Sequence, residues 1–569
     1  MTSDTLPQTL SGNVSESVLS SPAGRRLRRL TLWLLPGLWA LTVVGLLVRA
    51  IRQPTLPGTY SVRLDELLYA GQRLLEGQLL FHGFVNGGSP LAQWLYAPSA
   101  WLGSLLEHRL LLLAISILSG VLLAQVIRNL AMAGLIALAA DSPLPAGAGF
   151  LYVTLTQMYP EANSGLPEQF TNAFLVLALF WFTQQPGFWS GSGPGRGGLL
   201  LAGAAMALAL MGSPGLVSPT VVVTIFIVVV FPALSSLAWI LPVLLGALIA
   251  ILLVFAPYGG LPDGLAMAWA GTLQLPLEEA GRFPGDSERL LPLMGEFLRL
   301  QVAGLPVWLL ALIPALALLA QVCHLGRKPF SQADRLLLLP ALALLFILET
   351  LSVLMRQGSE RETFQLLVIP LVMLMVSGFA VMDRGGSLQR LTGRLAVLVL
   401  SLILFNNVFL VSVLHAPRQP NAQVLAVEAD REATRRLLLE QRQPDQGFTA
   451  PQDVALQRQL HRRASTTGIG PEWSLNHRQL KASWATQTLN LPTTPADVCR
   501  QLTDPSNRYV VWMRTDPDGP NTEVFFRSCL NREPGHWEDI SGELRLSSGE
   551  YRVFRRRSEG PMPLSSPPP

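Results

Sequence analysis

Apolar stretches recur from residue 31 to residue 415 of this 569-residue chain, and then they stop. Many are long enough to cross about 30 Å of hydrocarbon as a helix of roughly 20 residues. Such a chain places most of its length in lipid, where every backbone N–H and C=O must find an internal partner, and a helix provides one within each segment. Composition agrees, with 50% of residues hydrophobic, 14% charged and a mean hydropathy of +0.38. The fold class that follows is an all-α polytopic transmembrane bundle over residues 30–415 with a small α/β soluble domain over residues 416–569. Residues 1–29 begin with a Ser-, Thr- and Pro-rich lead that has no apolar segment ending in a small-residue cleavage site, and they read as a disordered cytoplasmic N-terminus.

The expected spans are 31–50, 109–127, 132–157, 168–184, 198–213, 215–233, 237–257, 303–322, 336–355, 364–382 and 395–414, about eleven helices by the length criterion. Arg25, Arg26, Arg28 and Arg29 precede the first, and cytoplasmic flanks attract Lys and Arg, so the N-terminus is placed inside. Loops then assigned inside carry Arg128, Arg196, Arg327, Lys328, Arg335, Arg384, Arg390 and Arg394, while outer loops are mixed or acidic. An odd count puts the C-terminal domain on the extracytoplasmic, periplasmic side of a plasma (inner) membrane. The count turns on Met211-Gly212-Ser213-Pro214-Gly215, which reads as a turn between two short helices or as a kink in one longer helix. The net charge of +4 and pI near 9.1 follow from these loop arginines and point to topology and membrane lipid, not nucleic acid.

The tail opens with a helix expected near 422–442. It continues to short β-type runs at Tyr509–Met513, Glu523–Phe526 and Tyr551–Phe554, with a turn signal at Asp516-Pro517-Asp518-Gly519. Cys499 and Cys529 flank the first two runs. Outside the cytoplasm they would form a disulfide, the alternative being two free thiols. No Cys/His cluster has zinc-ligand spacing, and no Walker loop or GxGxxG is present.

Two outer loops, 51–107 and 258–302, are too long to be simple connectors, and chemistry belongs there. Residues 63–78 of the first resolve into two faces at 100° per residue. Leu64, Leu67, Leu68, Gly71, Leu74 and Leu75 cover one side, with Asp65, Glu66, Tyr69, Gln72, Arg73 and Glu76 on the other. Such a helix lies flat at the membrane interface and holds carboxylates just above it, where Asp65 suits a general base. Alternatively Asp65 and Glu66 only cap and solvate the helix. Glu168, behind Pro167 at the outer head of a span, is either a simple favourable charge at a helix N-terminus or a second site carboxylate beside Asp65. Arg356, Glu360, Arg361 and Glu362 crowd a short outer turn, where guanidinium forks can take a phosphate or snorkel as solvated charges. Glu349 falls inside a span, where an acid costs on the order of 3 kcal/mol unless it faces a cavity or a partner.

At these points the sequence resembles the GT-C superfamily of polytopic glycosyltransferases, which includes protein mannosyltransferases and lipid A aminoarabinose transferases. Asp65-Glu66 matches the acidic pair of the first outer loop. It is followed through Tyr69, Gly71, Leu75 and Gly77 by the proline-containing return at Gly88-Ser89-Pro90-Leu91 and Trp94 to Pro98. Pro167-Glu168 is similar to the second acidic position, and Glu360 to Phe364 with Pro370 to the late motif. Ser89 stands where a second proline is usual, and Gly212-Ser213-Pro214 where a lysine is common. The resemblance implies a lipid-linked sugar donor on polyprenyl phosphate, a catalytic acid at Asp65 and, in some members, a divalent metal ion. The expected roles are Asp65 with Glu66 and Glu168 as catalytic acids, and Arg356 and Arg361 on the donor phosphate. Glu278, Glu279 and Arg282 of the 258–302 loop would bind a glycan, lipid or protein acceptor, in an inverting hexosyl or pentosyl transferase. The competing readings are a transporter or flippase of lipid-linked saccharides, which would show inverted repeats that this sequence lacks, and a non-catalytic assembly protein.

Overall fold

The computed structural model describes residues 22–52, 62–75, 89–102, 105–136, 142–158, 167–184, 195–230, 237–260, 333–356, 365–384, 387–406, 507–513, 537–549 and 551–557, with short pieces at 301–306, 426–437 and 447–449 and a few single positions. Its helices are α1 Pro22–Arg52, α2 Val62–Leu75, α3 Pro90–Leu102, α4 Leu105–Met132, α5 Leu144–Met158, α6 Pro167–Thr183, α7 Arg196–Gly212, α8 Val217–Val230, α9 Leu237–Phe255, α10 Ala333–Arg356, α11 Val368–Arg384 and α12 Ser387–Asn406. Every expected span has its helix except 303–322. There Leu305–Pro306 pairs with Gln301–Val302 in a two-residue antiparallel ladder, and the rest lies outside the described residues.

Among the described residues, four stretches are long and apolar enough to cross a bilayer: Leu34–Ile51, Leu106–Met132, Ile240–Gly260 and Gln365–Met382. Arg196–Gly212, Leu338–Val353 and Thr392–Asn406 are shorter apolar helices. Several boundaries differ from expectation: the helix expected at 395–414 runs Ser387–Asn406, and that expected at 31–50 begins at Pro22. The span expected at 132–157 starts only at Leu144, because α4 runs on to Met132 and Gly134, at φ 75°, ends it in the left-handed conformation that glycine adopts freely. The ambiguous Met211–Gly215 segment is a true break. Ser213 is extended (φ −145°, ψ 90°), and Pro214–Leu216 form a single 3-10 turn before α8.

The chain divides into two compact units. The first comprises Met1–Gln53, His108–Leu253 and Ala280–Ala416; the second comprises Pro54–Glu107, Val254–Glu279 and Pro417–Pro569. The core of the first unit gathers Leu123, Ile127, Tyr152, Leu155, Val176, Val372, Met375 and Leu404. Trp39 of α1 stacks on Phe150 of α5 with ring centroids 5.4 Å apart, and its indole N–H donates to Ser401 Oγ at 2.9 Å, so its polar edge stays satisfied inside an apolar bundle. α4 and α5 touch backbone to backbone at Gly120 and Gly149, where a Cβ on Gly120 would stand 2.8 Å from the Gly149 carbonyl oxygen.

In the second unit α2 packs on α3, and Gly71 makes the contact possible, since a Cβ there would lie 2.6 Å from the Tyr96 carbonyl carbon. Gly77, at φ 81°, closes α2 by donating its N–H to the Leu74 carbonyl. Ser89 caps α3: its Oγ accepts from the Ala92 N–H at 3.2 Å, with Pro90 as the first helical residue. A residue that departs from the usual proline thus has its own local use. The tail forms a four-stranded sheet from β1 Gly447–Thr449, β2 Asn507–Met513, β3 Trp537–Asp539 and β4 Tyr551–Arg556, in the order β1-β2-β4-β3. β2 and β4 are antiparallel, with Val510 opposite Phe554, so two of the three expected runs pair with each other; Glu523–Phe526 lies outside the described residues. Residues 426–437 are helical where described, within the helix expected at 422–442.

Candidate functional site

The start of α6 gathers several buried polar residues. Pro167 opens the helix with its fixed φ, and Glu168 sits in the first turn, where a negative charge complements the helix dipole. An ordinary capping acid would be solvated, yet Glu168 is only 2% exposed. Gln169, Thr171 and Asn172 are buried beside it, and Glu168, Thr171 and Asn172 share one face at the i, i+3, i+4 spacing.

Two other segments close on this face. Asn172 Nδ2 donates to the main-chain carbonyl of Gln365 at 2.8 Å, tying the second turn of α6 to the 3-10 turn that leads into α11. The last residue of α7, Gly212, lies so near that a Cβ on it would stand 2.6 Å from Thr171 Oγ1. Position 212 has no room here for even a methyl group unless Thr171 moves. Next to the α7–α8 break, the hydroxyl of Ser218 donates to the carboxylate of Glu349 on α10. That contact supplies the partner an acid inside a span requires.

A second charged group lies elsewhere in the same unit. Arg49 near the end of α1 donates from Nη1 to the Gln157 carbonyl of α5 at 3.4 Å, and Gln157 Nε2 donates to Ser116 Oγ of α4 at 2.7 Å. The guanidinium of Arg109, buried in α4, is close enough to repel that of Arg49. The sequence reading passed over both, although an arginine at each polar end of two apolar runs was a signal within reach.

The remaining expected site residues are distributed as follows. Asp65 and Glu66 lie in the first turns of α2, in the second unit. The two faces expected of that helix are only partly observed: Leu67 and Leu68 are buried, but Arg73 of the polar arc is 3% exposed and Leu75 of the apolar arc is 52% exposed. Arg356 is the last residue of α10. Arg361, Glu278, Glu279, Arg282, Cys499 and Cys529 lie outside the described residues. Among the described residues no three His, Cys, Asp or Glu side chains converge as a metal site would require.

No family model and no curated protein sequence matches the chain. Solved structures do. A crystal structure of ArnT from Cupriavidus metallidurans bound to undecaprenyl phosphate superposes with a TM-score of 0.50 at 14% identity, covering 95% of this chain and 100% of that one. The Archaeoglobus fulgidus oligosaccharyltransferase in its apo form gives a TM-score of 0.45 at 11% identity, over 83% of this chain and 69% of that one. For ArnT, likeness along nearly the whole length of both chains at so low an identity is likeness of architecture. This chain shares the overall fold of that ArnT structure.

Proposed function

We propose that the protein is a membrane glycosyltransferase that moves a sugar from a polyprenyl-phosphate-linked donor to an acceptor on the extracytoplasmic face. The observation that carries this reading is the fold shared end to end with ArnT, whose structure holds undecaprenyl phosphate. Buried Glu168 at the head of a helix fits it, because burial and an ionisable group combine at functional sites.

In this reading Asp65, with Glu66 beside it in the chain, takes the proton from the acceptor hydroxyl as that hydroxyl attacks the anomeric carbon, and the configuration inverts. Glu168 holds the acceptor. Arg356 and Arg361 stabilise the negative charge that collects on the departing lipid phosphate, which is the larger contribution to rate in a site sheltered from water. Glu278, Glu279 and Arg282 contact the acceptor, be it glycan, lipid or protein, and Cys499 and Cys529 pair in the extracytoplasmic tail.

The test is mass spectrometry of lipid-linked and surface glycans in cells lacking the gene, restored with the natural protein or with Asp65→Asn. Loss of one glycan species on deletion, return with the natural protein and no return with Asp65→Asn is the expected pattern, with transfer reduced at least about 100-fold. Identical glycan profiles in all three strains would overturn the enzyme reading in favour of transport or assembly.

A further inference from the structure

The junction of α6 and α11 holds polar atoms that secondary structure does not explain. Among the described residues, Thr171 Oγ1, Asn172 Oδ1 and both side-chain amide atoms of Gln365 are buried without a hydrogen-bond partner. Thr171 and Asn172 are fully buried, and Gln365 is 1% exposed. Each such group costs roughly 1–3 kcal/mol unless something satisfies it, and native interiors leave few of them, so several beside one another indicate a missing partner. They are gathered rather than scattered. Thr171 and Asn172 are adjacent in α6, Asn172 bonds the Gln365 backbone, and Glu168 lies one turn before on the same face.

The chemistry of the set separates the ligands it can take. A phosphate only accepts hydrogen bonds, so a phosphate site is lined by donors, whereas Asn172 Oδ1 and Gln365 Oε1 are acceptors. A metal ion wants oxygens alone, whereas Gln365 Nε2 is a donor. Thr171 Oγ1 does either. Two acceptors, an amide donor and a hydroxyl match a group whose own atoms both donate and accept, which is a ring bearing several hydroxyls.

We infer that Thr171, Asn172 and Gln365 form a sugar-reading site that selects the glycosyl head carried on the lipid phosphate. This rests on the glycosyltransferase reading and deepens it, assigning sugar selection to neutral residues that are neither the expected acids nor the expected arginines.

The experiment uses the full-length protein in lipid nanodiscs and native mass spectrometry. Retention of bare undecaprenyl phosphate is compared with that of undecaprenyl phosphate carrying a hexose, an N-acetylhexosamine or an aminopentose. The natural protein should hold one glycosylated lipid in preference to the bare one. Gln365→Leu and the isosteric Thr171→Val should each narrow that preference by about 3- to 10-fold, the worth of one hydrogen bond, with bare-lipid retention unchanged. Thr171→Ser, which keeps the hydroxyl, should retain the preference and serves as a control for folding. Undiminished preference in both Gln365→Leu and Thr171→Val overturns the inference, as does a natural protein that treats all four lipids alike. If the natural protein retains none of the four, the glycosyltransferase reading itself fails and the inference falls with it.

Discussion

Two buried polar clusters in this chain are built on opposite terms. In the tail, Asp430 is 2% exposed and its carboxylate is fully used, with Oδ1 accepting from the Ser547 N–H at 2.9 Å and Oδ2 from the Ser548 N–H at 2.8 Å. At the junction of α6 and α11, Thr171, Asn172 and Gln365 are as deeply buried, yet four of their polar atoms have no partner among the described residues. Depth is therefore not what distinguishes a structural polar group from a functional one; completion is. Asp430 closes a local account of backbone donors and fastens a helix to the turn before β4. The α6 cluster is open, and an open cluster is stable only with a guest or ordered water in it.

The sharpest way to break the comparison is to remove the complete cluster. Asp430→Ala removes the acceptor of two part-buried N–H groups, and hydrogen bonds to a charged group are worth more than neutral ones, so the tail sheet should lose about 2 kcal/mol, water replacing part of the contact. Asp430→Asn keeps one acceptor oxygen and should lose roughly half of that. Amide hydrogen exchange across residues 537–556 reads the difference. Unchanged protection in Asp430→Ala would mean that the carboxylate is incidental to the sheet.

The open cluster should respond with the opposite sign. Replacing a buried amide that has no partner by an apolar group of similar size removes an unsatisfied cost, so Gln365→Leu should leave the melting temperature in ligand-free nanodiscs unchanged or raise stability by up to about 1 kcal/mol. A loss of 1 kcal/mol or more would show that the amide is completed structurally, as Asp430 is, and would erase the contrast.

How much of this could be read beforehand follows from the range of the interactions. The spans were legible because lipid imposes a length and a composition on each segment separately, and β2 and β4 because strands carry their own run of β-branched and aromatic residues. The first turns of α2 were placed well, but its faces were not. Periodicity assigned Arg73 to solvent, whereas it is 3% exposed, and no periodicity within α2 foresees what tertiary packing lays against it. The same limit hid the cluster at α6. Glu168 was visible beside Pro167, but its setting depends on Gln365, 193 residues from Asn172, and the partner of Glu349 is Ser218, 131 residues away. Chain-distant pairing, not weak local signal, separates the legible part from the rest.

The smallest expected effect lies on the solvent side of the same tail sheet, where a carboxylate is partnered but exposed. Burial alone would push the Asp539 carboxyl up, but hydrogen bonds from the Ser541 hydroxyl and N–H, together with the Arg552 guanidinium at 3.2 Å, outweigh it and hold the group below its ordinary value. A carboxyl with a lower pKa folded than unfolded stabilises the fold above the unfolded value, near 3.9, and that contribution is lost as pH falls through the depressed folded value. Both partners are more than one third exposed (38% each), so solvent screening keeps the contribution under about 1 kcal/mol. The stability difference between the natural protein and Asp539→Asn should be constant from neutral pH down to about 4.5 and shrink below that, and raising the salt should reduce it at every pH. A difference that grew on acidification would mean that the protonated form is the one favoured in the folded sheet, and that completion of a polar group stabilises it only where water is also excluded.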